Sequence, residues 1–208
     1  MTVEGIEDLP VVGGHPALDL VNTVEPRIVN SDGREHLTSP AALLTWARRV
    51  SLLDEAEAEQ VAATWEQVPG AGSKDLKASI DLRERLYAAL SALLESRPPD
   101  LAPITARWAN AAPRAALQMT SEGARLQAAP LIPDRLAFAA VDLLTELDLT
   151  RLRACPTDDG GCGWLFLDQS RNNSRRWCVM ADCGTAAKSR KLTERRRTER
   201  GAARGRAV

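Results

Sequence analysis

Aromatic residues are scarce in this 208-residue chain, at 4% of the total, with two Phe and one Tyr. Any core must therefore be assembled mainly from Leu, Ala, Val and Ile, and at 44% hydrophobic residues the chain has enough of them to bury one. No apolar run approaches the roughly 18 residues that a membrane-crossing helix needs. Residues 1–9 are acidic, where an export leader would be basic and then apolar. These absences lead to the expectation of a soluble cytoplasmic protein with no membrane partner. Histidine occurs only at His15 and His36, and cysteine is missing from the first 154 residues.

Net charge is also nearly absent, at −1, but the total conceals a split. Residues 171–208 hold 12 Lys/Arg against 3 Asp/Glu, a balance near +9, while the preceding residues hold 15 bases against 25 acids. An acidic body with a basic end points to a polyanionic partner for that end.

Hydrophobic periodicity predicts helices through most of residues 1–150. A Gly turn at Gly13-Gly14 leads into a short apolar element, residues 16–23, with Pro16 suited to a first helical position. Ser39 and Pro40 read as N-cap and first residue of a helix over 41–53. Further helices are expected over 54–67, 75–94, 103–111 and 134–147, separated by the breakers Pro69-Gly70 and Pro98-Pro99. Alternation around Ser121-Glu122-Gly123 predicts a β-hairpin.

All four cysteines fall in one 29-residue window, as Cys155-x6-Cys162, fifteen residues, then Cys178-x4-Cys183. Two close pairs separated by a hairpin-length segment can bring four thiolates onto one tetrahedral ion, so a single structural Zn2+ is expected. Residues 163–168 and 175–178 are predicted to be two strands, with 170–174 as their turn. A helix from about residue 186 would then offer the last ligand in its first turn, which is a treble-clef arrangement. Two disulfides are the alternative, disfavoured by a reducing cytosol. Catalytic zinc is disfavoured because four cysteines close the coordination shell and both histidines lie far away in sequence. The expected fold class is thus α+β: a mostly helical domain with a hairpin over 1–150, then a small zinc module of hairpin plus helix over 151–208.

The basic residues are the candidate nucleic-acid contacts. Lys188, Arg190, Lys191, Arg195, Arg196 and Arg197 would occupy most of the helix circumference, and Arg171, Arg175 and Arg176 lie in the expected hairpin. With only Leu192 and two alanines to pack, the helix is expected to fray beyond Leu192 unless a polyanion neutralises it. Trp164 and Trp177 are expected to form the small core of the module rather than to stack on bases. Asp19 and Asn22 form the one polar pair in the first apolar element. They are candidates for capping or buried hydrogen bonding, with the lining of a small-molecule pocket as the alternative.

The run Cys162-Gly163-Trp164-Leu165-Phe166-Leu167-Asp168-Gln169-Ser170-Arg171-Asn172, with Arg175-Arg176-Trp177-Cys178 and Cys183-Gly184, resembles the CGNR zinc-finger family. Leu18-Asp19-Leu20-Val21-Asn22-Thr23 resembles a motif of that finger's usual partner, the ABATE domain. The resemblance implies a bacterial stress-induced transcription regulator, with a mixed α/β but helix-rich N-terminal domain and the four cysteines as zinc ligands. Here the signature reads Cys183-Gly184-Thr185-Ala186 where the family has Cys-Gly-Asn-Arg. If that Arg meets a phosphate in the family, this chain lacks one charge-assisted bond, typically worth about 1.5–3 kcal/mol.

The expected function is therefore a non-enzymatic DNA-binding regulator. Its N-terminal domain would sense a small-molecule effector or mediate assembly, including as a homodimer. RNA or an acidic protein is the alternative partner.

Overall fold

Local capping chemistry sets most element boundaries in the computed structural model, which describes residues 5–28, 33–121 and 123–205. Helix α1 (Pro16–Val21) opens at His15, whose ring nitrogen accepts from the Ala17 N–H, and it buries Leu18, Leu20 and Val21. A two-residue antiparallel ladder follows, β1 (Val24–Glu25) with β2 (Arg34–Glu35). Helix α2 (Pro40–Arg49) starts as its sequence predicts, with the Ser39 hydroxyl accepting from Ala42 N–H at 3.1 Å. Helix α3 (Glu55–Gln67) carries a reciprocal cap between Asp54 and Glu57.

Helix α4 (Ala71–Leu94) is the longest element, 24 residues, and begins a turn before the residue 75 expected from periodicity. Pro69-Gly70 alone makes the turn, so the chain re-enters a helix at once. Leu82, Leu86, Ala89 and Leu90 form its buried stripe. Around this spine pack α1, α2, α3, α5 (Ala102–Ala111) and α6 (Ile132–Glu146). A 3-10 turn (Ala112–Arg114) follows α5 and orients Arg114 toward buried Asp134. Arg107 joins it, so the carboxylate at the start of α6 is neutralised by two guanidinium groups, at 2.9 and 2.6 Å. The predicted hairpin is present as β3 (Ala116–Thr120) and β4 (Gly123–Gln127), paired in register. Its Leu117 and Met119 are 74% and 81% exposed, so it stands off the body rather than covering a core.

The C-terminal module holds β5 (Leu152–Ala154) antiparallel to β6 (Leu165–Leu167), a one-turn π segment (Met180–Gly184) and α7 (Thr185–Gly205). The α+β class holds: a mostly helical N-terminal region with small hairpins, then a module of hairpin and helix. The strand pairing within the module differs from expectation. The partner of β6 is β5, upstream of the first cysteine, and residues 175–178 are not a strand. Their main chain is engaged by side chains instead: Asp168 accepts from Arg175 N–H, and the Arg175 guanidinium donates to the carbonyls of Trp177 and Cys178. Helix α7 continues past Leu192 to Gly205.

The hydrophobic core is continuous from Leu18, Leu43 and Leu86 through Leu152, Trp164, Leu165 and Phe166 to the cysteines. Residue 150 therefore marks a change of sequence character but not a gap in packing. Among the described residues no helix is long and apolar enough to cross a membrane.

Candidate metal centre and nucleic-acid interface

The first cysteine pair is presented by the loop joining β5 to β6. Cys155 follows β5 directly and extends the ladder, its N–H donating to the Trp164 carbonyl at 2.8 Å. Two glycines in this loop are steric necessities. A methyl group at Gly161 would stand 2.6 Å from Cys155 Sγ, and one at Gly163 (φ +78°) would stand 2.1 Å from the Arg27 carbonyl oxygen. Small residues here let the sulfur turn inward and let residues 24–27 approach the loop. The second pair sits where extended chain turns into helix, Cys178 before the π segment and Cys183 within it.

The four Sγ atoms all lie within 4.8 Å of one another, with Cys162 to Cys178 at 3.3 Å and Cys178 to Cys183 at 3.6 Å. A tetrahedral ion with Zn–S bonds of about 2.3 Å requires sulfur–sulfur edges of roughly 3.8 Å. The set fits that ion, and the convergence of all four sulfurs on one point, with none joined in a disulfide, favours the metal over two separate disulfides. Three are buried and Cys183 is half-buried. Hydrogen bonding to its sulfur neighbours, Cys162 foremost, holds the Cys155 thiol far below its ordinary value, while the same contacts, Cys155 foremost, push Cys162 far above it. Burial adds to the rise at Cys162. Four sulfurs in one buried pocket cannot all carry charge by themselves, and a dication resolves that conflict by making each a thiolate. One zinc held by Cys155, Cys162, Cys178 and Cys183 is the site's cofactor, and a closed all-sulfur shell makes it structural.

Residues 12–27 pin this module to the body. Asn22 pairs with Leu165 as a strand would, its side-chain N–H donating to the Leu165 carbonyl at 2.8 Å and its oxygen accepting from Leu165 N–H at 3.0 Å. Trp164 Nε1 donates to the Val24 carbonyl at 2.8 Å, Arg27 N–H to the Cys162 carbonyl at 2.7 Å, and Leu167 N–H to the Gly13 carbonyl at 2.9 Å. Asp19 holds the approach to α1, accepting from Val12 and Gly13 N–H at 2.9 and 2.7 Å, although burial pushes its carboxyl up. Asp19, through Oδ1, and Asn22, through both its side-chain oxygen and nitrogen, are therefore buried groups hydrogen-bonded inside the protein.

The candidate nucleic-acid residues divide into three groups. Arg175 is turned inward: its guanidinium stacks 4.3 Å over the Phe166 ring and donates to the Val12 and Cys178 carbonyls at 3.0 and 2.6 Å. It ties the finger to the body. Arg176 is exposed but engaged, lying over Trp177 and paired with Asp159. Arg171 stands exposed in the loop after β6, and Lys188, Arg190, Lys191, Arg195, Arg196 and Arg197 are exposed along α7. Arg190 also lies against the main chain of Gly160, so the base of α7 rests on the zinc loop. Trp164 is buried and Trp177 half-buried, as module core.

Sequence reasoning passed over Asp168. Its carboxylate is fully buried and accepts from Ser170 N–H at 2.8 Å and Arg175 N–H at 2.9 Å, fixing the loop that displays Arg171. Despite desolvation, those bonds hold its carboxyl below the ordinary value. The signal was present as Asp-x-Ser after an apolar strand, a pattern in which Asp caps its own turn. Arg83 was also passed over: it is buried in α4 and bonded to Thr23 and, through both terminal nitrogens, to Glu35.

Two family models match the chain. Residues 14–147 match ABATE, described as "Putative stress-induced transcription regulator", and residues 151–196 match the CGNR zinc finger. Neither description names a catalytic activity. No curated protein matches the chain.

Proposed function

The chain belongs to the ABATE family and carries a CGNR zinc finger, and from that premise we propose that it is a DNA-binding transcription regulator whose contact element is α7. The observation that carries this reading is the pairing of a closed four-sulfur site with a long basic helix rooted in it. Zinc fixes Cys183 at the helix base, and beyond it exposed Lys188, Lys191, Arg196 and Arg197 face solvent, with no apolar face to bury. Guanidinium and ammonium groups held on a rigid rod meet phosphates at little ordering cost, and their affinity falls steeply with salt. A zinc loop followed by a strand, a turn and a helix supports a treble-clef reading, although the second strand expected at residues 175–178 is not formed, with residues 1–150 proposed as the body and 151–208 as the reader. A reducing cytoplasm suits four thiols kept for a metal.

The body is the sensing or assembly part. A cleft of about 410 Å³ lined by Arg34, His36, Thr38 and Thr45 suits a small polar effector, and a homodimer would place two copies of α7 on half-sites about one DNA turn apart. The test combines metal content with duplex-DNA binding by the full chain across a salt series. One zinc per chain with steeply salt-dependent binding is the expected outcome. One zinc with no duplex binding at low salt would overturn the DNA reading and direct the search to RNA and acidic proteins.

A further inference from the structure

Resting on the DNA reading above, we infer that α7 enters the major groove of B-form duplex DNA and contacts phosphates on both groove walls, rather than lying along one strand or on an RNA duplex. The helix is 21 residues, about 31 Å long. It packs chiefly against the π segment and the zinc loop at its base. Its exposed bases do not form a stripe. At about 100° per residue, Lys188 and Lys191 centre on one face and Arg196 and Arg197 on a face roughly 160° away. All four are exposed.

A helix that meets a flat or convex polyanion uses one face and gains nothing from bases on the other. A helix in a groove has phosphates on both sides, and bases on opposite faces then each find a partner. The dimensions agree, since a helix with its side chains is about 10–12 Å across and the B-form major groove about 12 Å wide. The A-form major groove of double-stranded RNA is too deep and narrow to admit one. Leu192, 49% exposed between the two basic faces in sequence, is available for apolar contact with a groove floor that includes thymine methyls.

The experiment uses the zinc-loaded full chain, a 20-base-pair DNA duplex and the RNA duplex of matching sequence, followed by fluorescence anisotropy over a salt series. Wild type is compared with K188Q/K191Q and with R196Q/R197Q. Zinc content and melting temperature should match wild type in both variants, because all four side chains are exposed. The expected result is that each variant lowers the slope of log affinity against log salt by about two, and that RNA binds at least ten-fold more weakly than DNA. A slope change in only one variant, or equal binding to RNA, would overturn the groove while leaving DNA binding standing. Absence of DNA binding by wild type would overturn the functional reading itself, and this inference with it.

Discussion

Residues 152–184 and residues 185–205 follow one another in a single module, yet opposite forces hold them. The first stretch has three sources of support: four sulfurs around one point, a buried apolar cluster of Leu152, Trp164, Leu165 and Phe166, and direct hydrogen bonds to residues 13–27. The second has its own helical hydrogen bonds, a footing on the π segment and zinc loop, and, as far as Arg197, an exposed surface rich in Lys and Arg. One half is over-determined, and the other is left available to a partner. The proposed regulator needs that division, because the anchor must not move when the proposed reader engages.

Removing the metal should break this comparison most severely. Without zinc the four clustered sulfurs lose the charge that brings them together, and zinc-finger sites of this kind supply on the order of 10 kcal/mol of folding free energy. Chelation, or Cys162→Ser, should unfold the β5–β6 loop and the base of α7 together. Because the core is continuous, it should also lower the melting temperature of the whole chain in calorimetry. A body that melts unchanged after chelation would show the two parts to be independent.

The next largest effect is expected at Asn22. Asn22→Ala leaves both the N–H and the carbonyl of Leu165 buried without partners, a loss of about 3 kcal/mol by denaturant unfolding. Arg175 and Arg171 sharpen the comparison by separating stability from binding. Arg175→Ala should cost about 2 kcal/mol of stability through the lost bonds to Val12 and Cys178. Arg171→Ala should leave stability within about 0.5 kcal/mol of wild type and lower only duplex affinity. Equal stability losses in both would contradict the inward placement of Arg175.

A smaller effect, confined to the body, comes from His36. Its imidazole is buried, its Nε2 has no hydrogen-bond partner among the described residues, and burial, aided by the Arg34 charge, lowers its pKa below the ordinary 6.5. The unfolded chain therefore takes up the proton before the folded one does. Stability contributed by neutral His36 is present above that ordinary value and is lost as pH falls below it toward the depressed folded value. Denaturant midpoints should decline from pH 7 to pH 5, and His36→Gln should flatten that decline.

Much of this was readable from residues in order. Ser39-Pro40 and Asp54 marked the starts of α2 and α3, and the breakers Pro69-Gly70 separated α3 from α4, because capping and turn formation are local chemistry. The four-cysteine site was legible for the same reason: few arrangements satisfy four closely spaced thiols. What could not be read depends on contacts between distant residues. Asn22 and Leu165 are 143 positions apart, and nothing near either announces the other. The partner of β6 was misplaced because residues 175–178 have strand-like composition, while the hydrogen bonds that override it come from Asp168 and from the Arg175 side chain. Arg175 itself shows why a charge count is a poor guide to a binding surface: of three arginines around one loop, only Arg171 is left both exposed and unengaged by the contacts described for the other two.

With α7 proposed as the reader and the zinc loop as its mount, the most direct measurement is DNA binding by a chain ending at Ala187. This chain keeps all four cysteines and every contact to residues 13–27. It should bind one zinc, melt with the full-length chain, and lose salt-sensitive affinity for duplex DNA. Undiminished DNA binding by the shortened, zinc-loaded chain would contradict the account and move the interface to the Arg171 loop or the body.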